Sequence, residues 1–218
     1  MRRVILTFFT LLSLSVFGQK EDHLFPTDGF FSLYRHQRDY YPYIHKHLIK
    51  DLSDAPLARI ITLPSFSPEN VLSVESTDKE EKTYKVIFIT GKESIWYKKS
   101  KNTLEIVRYE EPIDTSLVSI IRKVFKKATS QVKYESDDSW GHHGLDGVTY
   151  IFTTFVAMQG NRSGEVWSPD PATKMSQLVE FGQTMIQLAK SDNDNDRLKF
   201  KKEIKDKGEK LLSDLNAR

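Results

Sequence analysis

Residues 148–158, Val-Thr-Tyr-Ile-Phe-Thr-Thr-Phe-Val-Ala-Met, restrict the fold of this chain more than any other stretch. Val148, Tyr150, Phe152 and Val156 share one parity, and Ile151, Phe155 and Ala157 share the other. Side chains of a strand alternate between its two faces. A run that is apolar on both parities therefore predicts a strand inside a sheet covered on both sides. Gln159-Gly-Asn-Arg-Ser-Gly164 follows, then Glu165-Val-Trp167-Ser-Pro169. A glycine-rich turn into a second short strand is a β-hairpin. The polar, glycine-rich Trp140-Gly-His-His-Gly-Leu-Asp-Gly147 leads into it.

More strands are expected upstream. Arg59–Leu63 and Asn70–Glu75 are short apolar runs separated by the turn Pro64-Ser-Phe66-Ser-Pro68. Tyr84–Thr90, Glu93–Lys98 and Thr103–Tyr109 read as a three-strand meander that Pro112 ends. Asp114 or Thr115 caps a helix reaching about Ala128, with Leu117, Ile121, Val124 and Ala128 on one stripe and Arg122, Lys123, Lys126 and Lys127 largely off it. Asp170-Pro171 has the pattern of an N-cap and first helical residue, opening a helix to about Lys190. A last, charged helix over 196–215 contains Gly208, which costs about 1 kcal/mol relative to Ala and predicts a poorly packed, peripheral element.

The sum is an α+β fold in a single domain. An antiparallel sheet of five to six strands, meander plus hairpin, packs against two main helices near 114–128 and 171–190. The core spans 59–190. Outside it lie an aromatic and basic N-terminal segment, 19–58, and the charged C-terminal helix, 191–218. In the N-terminal segment Asp28 caps a short helix that Pro42 breaks, and a second short helix covers about 43–52.

Residues 1–18 have the form of a secretory signal peptide. Arg2 and Arg3 precede an uncharged apolar run, Val4–Phe17, too short to span a bilayer about 30 Å thick. No second long apolar run follows, so no transmembrane segment is expected in the mature chain. The 32 Lys and Arg face 30 Asp and Glu, and the excess of two lies in that leader. A balanced remainder provides no global electrostatic argument for nucleic acid or membrane binding. The absence of cysteine excludes disulfides, thiolate catalysis and Cys-ligated zinc. Bacterial export, to the periplasm or the medium, is the expected localisation.

Catalytic signatures are missing: no Gly-x-Ser-x-Gly, His-Glu-x-x-His, Walker loop or dinucleotide fingerprint occurs. The leading expectation is an exported, non-enzymatic binding or interaction protein of the bacterial envelope, with no cofactor, whose partner is an envelope protein or a glycan. Its expected surface joins Trp140, His142, His143, Asp146, Arg162 and Trp167 with the aromatic N-terminal segment. Tryptophan and arginine supply stacking area and the glycine-rich loops supply access. The alternative is a metal-dependent hydrolase holding zinc with His142, His143 and Asp146, joined by His45 or His47, since zinc needs three or four converging N or O ligands. Helical backbone over 43–52 would splay His45 from His47. An envelope scaffold without a ligand is the third reading. Asp192, Asp194, Asp196 and Glu203 trace the outline of a calcium loop, but Arg197 stands where such a loop requires glycine. Those aspartates fit a helix N-terminus better. Glu165, Asp146, Asp137 and Asp138 offer carboxylates of the kind that glycosidases pair, a pattern of little specificity.

Overall fold

The computed structural model describes residues 22–27, 40–78, 80, 82–98, 103–134 and 146–217. Six strands form one open antiparallel sheet: β1 (Ala58–Pro64), β2 (Asn70–Asp78), β3 (Thr83–Gly91), β4 (Ile106–Ile113), β5 (Val148–Val156) and β6 (Gly160–Trp167). Their order is β4-β3-β2-β1-β5-β6. The first four strands meander to one edge. The chain then crosses back through a helix and lays the β5–β6 hairpin beside β1. As its two-sided apolar pattern predicts, β5 is interior: Ile61 faces Ile151 across β1, and Tyr150 faces Val166 across β6.

Strand parity divides the core. Ile60, Leu72, Val86, Phe88 and Phe152 point to one face, beneath the helices α2 (Thr115–Thr129), α3 (Lys174–Ala189) and α4 (Asp194–Asn216). The Phe125 and Phe152 rings meet at 5.9 Å. Ile61, Val71, Ile87, Ile89 and Ile151 point to the other face, beneath Tyr40, Ile44 and Leu48. These last residues lie on α1 (Tyr40–Ile44) and the π-helical stretch that continues it (His45–Ile49). The sheet is thus covered on both sides, and the described residues form four α-helices, the two expected main ones together with the short α1 and the C-terminal α4.

Several boundaries differ from the sequence reading, each for a local reason. Residues 93–98 are not a strand: Ser94–Tyr97 form turns, and β3 pairs directly with β4 from Gly91↔Ile106 to Tyr84↔Ile113. Pro112 lies inside β4 opposite Lys85, where an edge strand tolerates the missing N–H. Pro42 does not break a helix; it sits in the first turn of α1, where a missing donor costs nothing. The helix expected from Asp28 lies outside the described residues. α3 begins at Lys174 because Ala172 adopts a left-handed φ of 67°. Thr173 then caps it by accepting the Ser176 N–H at 3.0 Å, and both carboxylate oxygens of Asp22 accept the Lys174 and Met175 N–H groups. Asp114 caps α2 through the Leu117 N–H at 3.0 Å. The Ser116 hydroxyl, and then that N–H, hold its carboxyl below the usual carboxylate range.

The C-terminal helix is an integral element. Ile204, Gly208, Leu211 and Leu215 are buried, whereas Leu198, expected to point inward, is exposed. Gly208 is the point of closest approach: a Cβ there would lie 2.8 Å from Ile120 Cγ1 on α2 and 3.1 Å from the Phe181 ring on α3. Gly208→Ala is therefore expected to forfeit the gain of about 1 kcal/mol that a glycine-to-alanine change brings in a free helix. Gly208→Leu is expected to destabilise by about 1–3 kcal/mol through overpacking. Urea midpoints of the two variants provide the check, and a more stable Leu variant would contradict this packing.

Candidate functional site

Three large aromatic side chains are exposed at one end of the sheet: Phe66 at 70%, Trp96 at 44% and Tyr97 at 57%. They stand on two loops, β1–β2 and β3–β4, that a single carboxylate joins. Glu69 is wholly buried. Its Oε1 accepts hydrogen bonds from Tyr40 OH at 2.9 Å, Ser94 Oγ at 3.1 Å and the Trp96 N–H at 3.1 Å, and its Oε2 accepts from the Ile95 N–H at 2.6 Å. A buried charge persists only when its lone pairs are filled in this way. The Glu69 carbonyl accepts further bonds from the Gly91 N–H and Thr90 Oγ1. Glu69 thus holds 93–98 as a turn rather than the expected strand, because donors that a ladder would use point at its oxygens.

Tyr40 secures the same knot from the other layer. Its phenol is pushed far above its ordinary value, first by burial and then by the adjacent Glu69 charge, so it remains a donor. The Trp96 ring meets Tyr40 edge-on at 5.0 Å. Tyr97 OH donates to the Ser65 carbonyl at 2.9 Å, which brings Tyr97 against the loop bearing Phe66. Ser65 in turn exchanges hydrogen bonds with Gly147 at the start of β5. The Trp167 ring packs on Gly147 so closely that a Cβ there would fall 2.5 Å from it. Phe66, Tyr97, Gly147 and Trp167 consequently belong to one corner of the molecule.

Of the residues the sequence singled out, the structure brings Asp146 and Trp167 to this corner. Asp146 is exposed and Trp167 half-buried. Arg162 is elsewhere: it faces Thr154 near the far end of β6 and points to the helix side, whereas Trp167 faces Thr149 on the opposite side. His45 is exposed, and His47 stacks on Tyr43 with ring centroids 6.1 Å apart. Two positions apart in helical backbone, the two imidazoles diverge, as expected. Trp140, His142, His143, Asp137 and Asp138 lie outside the described residues. Among the described residues, no group of three His, Asp or Glu could hold a metal ion. The aspartates of the calcium-loop outline open α4: Asn193 caps it through the Asp196 N–H, Arg197 pairs with Asp194 and Glu111, and Glu203 pairs with Lys207.

Phe66, Glu69, Trp96 and Tyr97 were not singled out by sequence. Phe66 carried one usable signal, a large ring between Pro64 and Pro68 at the tip of a turn. Trp96 and Tyr97 were hidden by their assignment to a strand, where one parity would have been buried.

A second buried network lies on the same face. Arg59 Nη2 donates to Glu75 Oε1 at 3.0 Å and to the Ser53 carbonyl at 2.6 Å, and Arg59 Nε donates to Ser73 Oγ at 3.2 Å. Ser73 Oγ and the Ser53 N–H both donate to the same Glu75 oxygen. Burial draws the guanidinium below its ordinary range, and Glu75 pushes back. The group ties the chain after α1 to β1 and β2.

The chain matches no protein-family model, no curated protein and no solved structure.

Proposed function

We propose that the protein is an exported binding protein of the bacterial envelope, and that it recognises an envelope protein or a glycan through the rim formed by Phe66, Trp96 and Tyr97. The observation that carries this reading is the pairing of exposed rings with loops held by a buried carboxylate. Large exposed apolar groups gathered in one place mark contact surfaces. Tryptophan and tyrosine bring much contact area with few rotatable bonds, which is why they anchor interfaces. Loops already ordered by Glu69 lose little further entropy when a partner binds. Both oxygens of the buried Glu69 carboxylate are occupied by internal donors, and Glu75 is held by Arg59, Ser73 and Ser53, which favours a binding role over acid–base chemistry at this face.

The test uses the protein without residues 1–18, immobilised and exposed to solubilised envelope proteins and, separately, to cell-wall glycan. Phe66→Ser with Tyr97→Ala is expected to reduce retention of the partner at least about tenfold, the scale of removing anchor residues. The thermal midpoint is expected to change little, since both rings are already mostly in water. Undiminished retention by that variant would refute the rim as the recognition surface.

A further inference from the structure

The exposed face of α2 carries a second, electrostatic feature. Leu117, Ile121, Val124, Phe125 and Ala128 are buried against the sheet and α4. Arg122, Lys123 and Lys126 are exposed on the opposite side, and Lys127 is half-buried beside them. All four lie within two turns, and α2 contains no acidic residue. Arg122 and Lys126, and Lys123 and Lys127, are like charges four positions apart, an arrangement that destabilises a helix.

α4 differs in interspersing acidic residues among its cations, although Lys199, Lys202, Lys205 and Lys210 there also form no ion pair with a described residue. There Arg197 pairs with Asp194, and Lys207 pairs with Glu203. On the sheet, Lys85 and Arg108 share Glu110. None of the four α2 cations pairs with a described residue. The helix dipole favours Lys126 and Lys127 in the last turn, but its influence ends there and does not reach Arg122 or Lys123. The chain leaving α2 adds exposed Lys133 and then Tyr134, a residue 85% exposed. Tyrosine beside clustered cations is the composition that sits at a lipid headgroup layer.

We propose that the α2 face docks on an anionic phospholipid surface. The cations form a stripe along a convex helix, a shape that suits an extended charged plane rather than one enclosed anion. α2 covers the helix side of the sheet, whereas Trp96 and Tyr40 lie on the other side, so docking leaves the aromatic rim open to a partner. The proposal rests on the export reading only for where such a surface is met; vesicle binding itself is independent of it.

The experiment is flotation of the chain without residues 1–18 with vesicles of phosphatidylcholine alone or containing phosphatidylglycerol. Binding is expected only with the anionic lipid and is expected to fade as salt shortens the Debye length below about 10 Å. Arg122→Gln, Lys123→Gln, Lys126→Gln and Lys127→Gln combined should lower partitioning at least about a hundredfold, given roughly fivefold per cation near an anionic surface. A control with Lys199→Gln, Lys202→Gln, Lys205→Gln and Lys210→Gln on α4 removes the same charge and should retain most of the binding. Equal loss in both variants, no binding to anionic vesicles, or retention on heparin without vesicle binding would each overturn the proposal.

Discussion

Glu69→Ala is expected to lower the unfolding free energy by about 3–5 kcal/mol. Tyr40 OH, Ser94 Oγ and the Ile95 N–H lose this acceptor while the Trp96 N–H keeps Ser94 Oγ, and a buried donor left unpaired costs about 1–3 kcal/mol. Relaxation of the turn lets some of them reach water, so the costs do not simply add. For a domain of this size the loss corresponds to a fall of roughly 10 °C in Tm. Glu69→Gln is expected to fall between: its oxygen still accepts, but its amide nitrogen meets another N–H. Denaturant melts report the stability. Hydrogen exchange at Ile95 and Trp96 reports the cause, because both amides should lose protection before the sheet does. Protection of those amides unchanged in the Ala variant would show that the turn does not depend on Glu69. The rim's partner binding should weaken in the same variant although no exposed ring has been touched, since Trp96 and Tyr97 are presented by that turn.

Arg59→Met is expected to cost about 3–5 kcal/mol, the penalty for stranding a buried charge. Glu75 would keep only Ser73 Oγ and the Ser53 N–H as donors, with no cation beside it. The double variant with Glu75→Leu should recover most of the loss, because two apolar side chains of similar volume replace a desolvated pair. A denaturation cycle over the four proteins measures the coupling. Additive effects of the two changes would mean that the pair contributes no mutual stabilisation.

The two-sided apolar pattern of 148–156 was sufficient to place β5 inside the sheet, since only an interior strand buries both parities. The α2 stripe and its Asp114 cap were equally readable, because cap and core-facing positions follow from helical spacing alone. The parity rule also separates Arg162 from Trp167: an odd separation of five residues puts them on opposite faces of one strand. No single small ligand can touch both. The errors have a different origin. Ile95-Trp96-Tyr97 looks like a strand because local pattern cannot show that a carboxylate from residue 69 captures its N–H groups. Gly208 looks like a weak point because the propensity scale describes a free helix, and Ile120 and Phe181 are far away in sequence.

Alternation, caps and turn residues were thus enough for the chain to declare an α+β fold with an antiparallel sheet, because each depends on neighbours within a few positions. The tertiary structure alone decided that α4 is docked, that 93–98 is a turn, and that Phe66, Trp96 and Tyr97 share a rim. Those outcomes rest on donors, acceptors and close contacts between residues tens of positions apart, where the preference of either partner alone carries no information about the other.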